Sequence, residues 1–191
     1  MELVTSPAVI NLTKREADIS ISFPRPRGRR VSARKIGEFK LYLYASRDYL
    51  AAAGTPEHRE DLISHRFADY IDDLVQINEV RWLHAAFPAA PVVYRSSSLI
   101  AQFQFAVAGG GISMLPTFVG VRDPNLVALL PDQVSARRDL WIGVHEDQGH
   151  IRRISAVSRY LTSLIESDQP FLKTGNPDLE RSCLSAERFA G

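Results

Sequence analysis

The chain has 191 residues, 45% hydrophobic and 24% charged, with a net charge of +1 at pH 7. That composition fits a globular protein with one sizeable core or two small ones, and the near-zero charge leaves no domain-wide footprint for nucleic acid. One cysteine, Cys183, excludes an internal disulfide and fits a reducing compartment, while no apolar run reaches the ~18–20 residues of a membrane span.

The first residues, MELVTSPAVINLTKREAD, have neither the basic leader nor the apolar core of a signal peptide, so a cytoplasmic protein is expected. Glu2–Thr5 resemble a strand. Ser6-Pro7 is a good helix start, with serine at the cap and proline at the first helical position. Val9 and Leu12 then face inward on a helix ending near Arg15. Ala17–Phe23 alternate apolar and small polar residues, a second strand with Ile19 and Ile21 on one face. Two strands joined by a helix suggest a βαβ unit. Residues 24–35, PRPRGRRVSARK, hold six basic side chains. They interleave no aromatic residue that could stack on bases and match no DNA-reading motif, which favours a solvated loop over a nucleic-acid patch.

Phe39–Ala45 read as a strand, followed by Ser46 as the cap of a short helix that Gly54 ends. Thr55-Pro56 opens another helical turn with Leu62 inward. Phe67–Ile71 suggest a strand, and Trp82 and Leu83 core residues. The stretch VVYRSSSLIAQFQFAVAGGGISMLP, residues 92–116, forms a strand–helix–strand unit. Its serines 96–98 cap a helix with Leu99, Phe103, Ala106 and Val107 on one face. Glycines 109–111 stop that helix. They follow it, whereas a phosphate-cradling G-x-G-x-x-G precedes one. Thr117–Arg122 suggest a short helix, Leu126–Leu130 a strand, residues 132–139 a polar loop and Leu140–His145 a strand. A stripe of Ile151, Ile154, Val157, Leu161, Leu164 and Ile165 marks an amphipathic helix. The polar residues 167–191 are expected to be a disordered tail.

Catalytic and metal chemistry find little support. Ser113 lies outside a G-x-S-x-G elbow. His58, His65, His84, His145 and His150 form no H-x-x-x-H pair. Glu60 with Asp61, and Asp72 with Asp73, are sequence neighbours rather than converging carboxylates. No catalytic residue, metal or cofactor is expected. A small hydrolase would have to use Ser113 or the His145–Glu146–Asp147 cluster.

Taken together, ELVTSP…READISI, IGEFKLYLYASRDYLAAAGTP, EDLISHRF, VYRSSSLIAQFQFAVAGGGISMLP and RDLWIGVHED resemble, in order and spacing, the effector-binding domain of LysR-type transcriptional regulators. The resemblance implies two α/β subdomains of the periplasmic-binding-protein-like type, joined by crossover strands near residues 44–46 and 140–144. Residues 2–45 with 141–166 would form subdomain I, and 47–140 subdomain II. It implies a small polar or carboxylate effector in the cleft between them, faced by Thr5, Ser6, Ser22, Ser97 and Ser98, with Arg95 and Phe23 contributing charge or shape. It implies homodimerisation as well. The match starts at the family's second strand and lacks the winged helix-turn-helix, so an N-terminally truncated domain with weakened effector binding is expected, its parent contacting DNA through the missing part. A stand-alone solute-binding protein is the competing class.

Overall fold

The computed structural model describes residues 2–4, 12, 16–74 and 80–176. The chain divides into two compact units, the first comprising Met1–Val9 and Lys40–Arg138, the second Ile10–Phe39 and Asp139–Gly191. It passes from the second unit to the first inside one long strand, β2 (Val31–Ser46), and returns inside another, β7 (Ser135–His145).

The first unit is built on the second half of β2. Leu41, Leu43 and Ala45 are fully buried on one side of that strand, as a period of two requires. Burying each leucine stabilises by ~1.5–3 kcal/mol. Ser46 caps α1 (Arg47–Ala53), its Oγ accepting from the Tyr49 N–H at 3.2 Å. A 3-10 turn follows at Arg59–Ser64 with Leu62 buried, three residues later than Pro56 suggested. Next come β3 (Phe67–Asp69), α2 (Trp82–Ala86), β4 (Val92–Arg95), α3 (Leu99–Val107), β5 (Ile112–Pro116), α4 (Thr117–Gly120) and β6 (Leu126–Leu129). The strands lie in the order β6-β2-β5-β3-β4. β2 is antiparallel to β5 and β6, whereas β3 is parallel to β4 and β5. Trp82, Leu83, Phe67 and Ile112 fill the core with these strands. A second cluster joins Tyr44, Ala106, Leu115 and Leu126; burial pushes the Tyr44 hydroxyl up to about 12.

In the second unit β1 (Ile19–Ser22) runs antiparallel to β7, Ile19 opposite Val144 and Ser22 opposite Trp141. α5 (Glu146–Gly149), α6 (Arg152–Ser167) and α7 (Gln169–Thr174) complete it.

Four expectations need correction. Residues 2–4 form no strand, and Leu3 and Val4 are 84% and 70% exposed, so the N-terminal βαβ unit is absent from the described residues. Leu12 is buried as expected, but the rest of that helix, and Thr5 and Ser6 with it, lie outside the described residues. The basic loop ends at Arg30: Val31–Lys35 already belong to β2, because ion pairs of Lys35 with Asp139 (2.6 Å) and Arg34 with Glu166 (3.6 Å) hold those charges within the fold. Likewise Ser135–Asp139, expected in a polar loop, open β7. Disorder beyond Ser167 does not hold at Gln169–Thr174, where burial of Phe171 anchors α7; residues 177–191 lie outside the described residues.

Candidate functional site

The carboxyl ends of the parallel strands β3 and β4 lie side by side, Asp69 opposite Arg95, and the chain then turns into α3. Ligands of open α/β sheets collect at such strand ends. The Ser96 N–H donates to the Asp69 carbonyl at 3.0 Å, and the Ser96 Oγ accepts from the Ser98 N–H at 3.1 Å. Ser98 is the cap of α3, its Oγ accepting from the Ala101 N–H at 3.4 Å. Both Ser97 and Ser98 are exposed. The start of α3 therefore presents hydroxyls and the positive end of a nine-residue helix to solvent, a setting that favours a negatively charged group.

Charged groups surround this helix start. Asp72 is shared: Arg81 donates to its Oδ1 at 2.8 Å and Arg95 to its Oδ2 at 3.2 Å. Arg95 also donates to the Tyr70 carbonyl at 3.2 Å. Asp69 is half-buried, and burial holds its carboxyl above the usual range, against the pull of the Tyr70 N–H bonded to its Oδ1. Sequence reading singled out Arg95 but missed Asp69. Its signal was one acid ending the otherwise apolar strand Phe-Ala-Asp.

Ser22, the other described candidate, sits in the second unit at the end of β1 and donates to the Pro24 carbonyl at 2.8 Å. Phe23 packs on Phe39, ring centroids 5.2 Å apart. The structure thus brings Ser97 and Ser98 together on one helix start and places Ser22 in the other unit.

The basic segment is engaged inside the second unit. Arg30 pairs with Asp147, and Arg25 lies over the Trp141 ring at 5.3 Å. The hydrolase candidates are engaged too. Ser113 is fully buried and donates to the Gln102 carbonyl at 2.8 Å. His145, also buried, caps α5 by accepting from the Asp147 N–H at 3.3 Å. Among the described residues no three His, Cys, Asp or Glu side chains converge as metal ligands, and no helix is long and apolar enough to cross a membrane.

The family described as LysR substrate binding domain matches residues 1–165. The Mau operon transcriptional activator of Paracoccus denitrificans is 27% identical over 142 residues, covering 74% of this chain and 46% of its own length. The HTH-type transcriptional regulator CrgA of Neisseria meningitidis serogroup C is 28% identical over 141 residues, 71% of this chain and 46% of its own. The chain therefore spans about half the length of these curated relatives. Among solved structures, the CrgA regulatory domain from Neisseria meningitidis superposes with a TM-score of 0.69 at 22% identity, over 83% of this chain and 80% of that one. The Synechocystis PCC6803 CcmR regulatory domain does so at 0.64 and 18%, over 81% and 76%. The Mau operon activator and CrgA are transcriptional regulators, not enzymes, and the fold is the periplasmic-binding-protein-like α/β fold of LysR regulatory domains.

Proposed function

This chain belongs to the LysR substrate-binding domain family, and on that premise we propose that it senses a small polar or carboxylate effector to control transcription. The observation that supports this reading is the start of α3, where exposed Ser97 and Ser98 meet a helix N-terminus at the carboxyl ends of parallel strands. That arrangement suits a carboxylate. Thr5, Ser6 and Ser22 are the further effector-facing hydroxyls of the proposal, and the two units correspond in it to the family's two subdomains. One similar fold, the CcmR regulatory domain, has been solved in complex with 2-PG, which supports a small-molecule role.

The same reading assigns sensing, not DNA reading, to the matched residues, and places the protein in the cytoplasm as a homodimer. Exposed Val93, Tyr94 and Ile100 (59%, 37% and 63%) on β4 and α3 suit such self-association. A stand-alone solute-binding role lacks comparable support, because the curated relatives are transcription regulators.

Thermal unfolding against a panel of small carboxylates, aromatic acids and polar metabolites tests the proposal. A ligand held only by the folded state, at ~100-fold excess over its dissociation constant, adds about 2.7 kcal/mol. A shift that vanishes in the Ser97→Ala, Ser98→Ala double variant is the expected result. A shift unchanged in that variant refutes the assignment of these serines.

A further inference from the structure

We propose that the first unit carries a separate site for a zwitterionic small molecule, in the cavity between α1, Arg66 and the C-terminal end of α3. This cavity has a volume of about 520 Å³ and is lined by Asp48, Ala52, Ala53, Arg66, Ala108 and Gly109, among others. That volume lies in the range of small-molecule sites. It sits one length of α3 away from Ser97 and Ser98, roughly 13 Å at ~1.5 Å per residue, and so does not depend on the effector reading above.

The Arg66 backbone is fixed at both its polar groups, and its side chain is exposed. Its N–H donates to the Tyr49 hydroxyl at 3.1 Å, and its carbonyl accepts from the Ile112 N–H at 2.7 Å. Its guanidinium lies over the Tyr49 ring at 5.5 Å. That ring is itself buried and tied by its hydroxyl to His65 Nδ1 at 3.1 Å. Among the described residues the guanidinium forms no ion pair. Its contact with the Tyr49 ring orients it in part before an anion arrives, which lowers the entropic cost of binding one. A planar guanidinium offers a carboxylate two parallel hydrogen bonds.

Asp48 supplies the opposite charge in the same cavity. It lies in the first turn of α1, and its Oδ2 accepts from Asn125 Nδ2 at 3.3 Å. Its other oxygen has no partner among the described residues. The rest of the lining is the small residues Ala52, Ala53, Ala108 and Gly109 together with Tyr49 and Ser64. A simple anion would gain Arg66 and meet Asp48, and a simple cation would meet the reverse. Only a ligand carrying both signs satisfies both walls. The assigned class is an amino acid, its carboxylate on Arg66 and its ammonium on Asp48.

Calorimetric titration of the full chain with glycine, L-alanine and L-leucine, with acetate and methylamine as single-charge controls, tests this. The zwitterions should bind at least about tenfold more tightly than either control. Arg66→Gln and Asp48→Asn should each weaken binding about tenfold to a hundredfold, the loss expected for one charge-assisted contact. The Ser97→Ala, Ser98→Ala variant should bind as the parent does, which separates this site from the effector site. A readout that needs no substitution is the backbone amide spectrum, in which glycine should move Ala52, Ala53 and Gly109. No saturable binding below about 10 mM, equal binding of acetate, or perturbations confined to Leu99–Ala101 would each overturn the proposal.

Discussion

Tyr49 and His65 share a buried hydrogen bond, hydroxyl to Nδ1, at 3.1 Å. The same hydroxyl accepts from the Arg66 N–H at 3.1 Å, so the imidazole is tied to the backbone at the entry to β3. Burial pushes the imidazole below its ordinary value of 6.5 and so favours its neutral form, against the pull of Asp61. A depressed value means that this group's stabilisation is present above about pH 6.5 and fades as the pH falls through the folded-state value. Unfolding midpoints recorded from about pH 8 to pH 5 should fall for the parent and fall less for His65→Gln. Parallel curves for the two proteins would rule this histidine out as the cause.

Gly111 has φ 155°, and a Cβ there would lie 2.3 Å from the Arg66 carbonyl oxygen, the atom that accepts from the Ile112 N–H. Backbone cannot swing aside as a flexible side chain can. Gly111→Ala should cost about 3 kcal/mol or more, read as a lower urea midpoint at an unchanged slope. A loss below about 1 kcal/mol would show that the β5 entry relaxes freely.

The α7 helix is attached by a specific contact. Gln169 Oε1 accepts from the Glu38 N–H at 3.0 Å, and Lys173 pairs with Glu38 at 3.3 Å. There is no room beside it, since a Cβ on Gly37 would come within 2.2 Å of Gln169 Nε2. Gln169→Ala should cost about 1–2 kcal/mol by leaving that N–H unpaired. Gly37→Ala should speed hydrogen exchange at Phe171–Lys173 by displacing the glutamine. Unchanged exchange there would mean that the glutamine yields without releasing the helix.

Self-association should weaken when charge is placed on the exposed apolar face of β4 and α3. Ile100→Glu, at a position 63% exposed, should leave the unfolding midpoint within about 0.5 kcal/mol of the parent. It should raise a dimer dissociation constant at least tenfold, about 1.4 kcal/mol, as measured by sedimentation. An unaltered constant would move the interface elsewhere.

The parts legible in the sequence were those whose causes are local. Residues 92–116 announced themselves because the Ser98 cap, the apolar repeat of α3 and the glycine stop are all contained within one short window. The start of β2 was hidden because Lys35 and Arg34 are settled by Asp139 and Glu166, more than a hundred positions away. For the same reason α7 looked like a polar tail: Phe171 is its one large aromatic, and the surface that buries it comes from elsewhere in the chain. At the candidate site the serines could be read as helix caps, whereas the burial that perturbs Asp69 depends on β4 and α2 folding beside it.

The Arg81 fork clasps both the Oδ1 and the backbone carbonyl of Asp72, at 2.8 and 2.9 Å, so the two ends of the segment between them are pinned together. Arg95 holds the other oxygen of the same carboxylate, so one acid ties the residue that opens α2 to the residue that ends β4. Removing that single charge would release two guanidinium groups at once, and a local change at Asp72 would be felt at both elements.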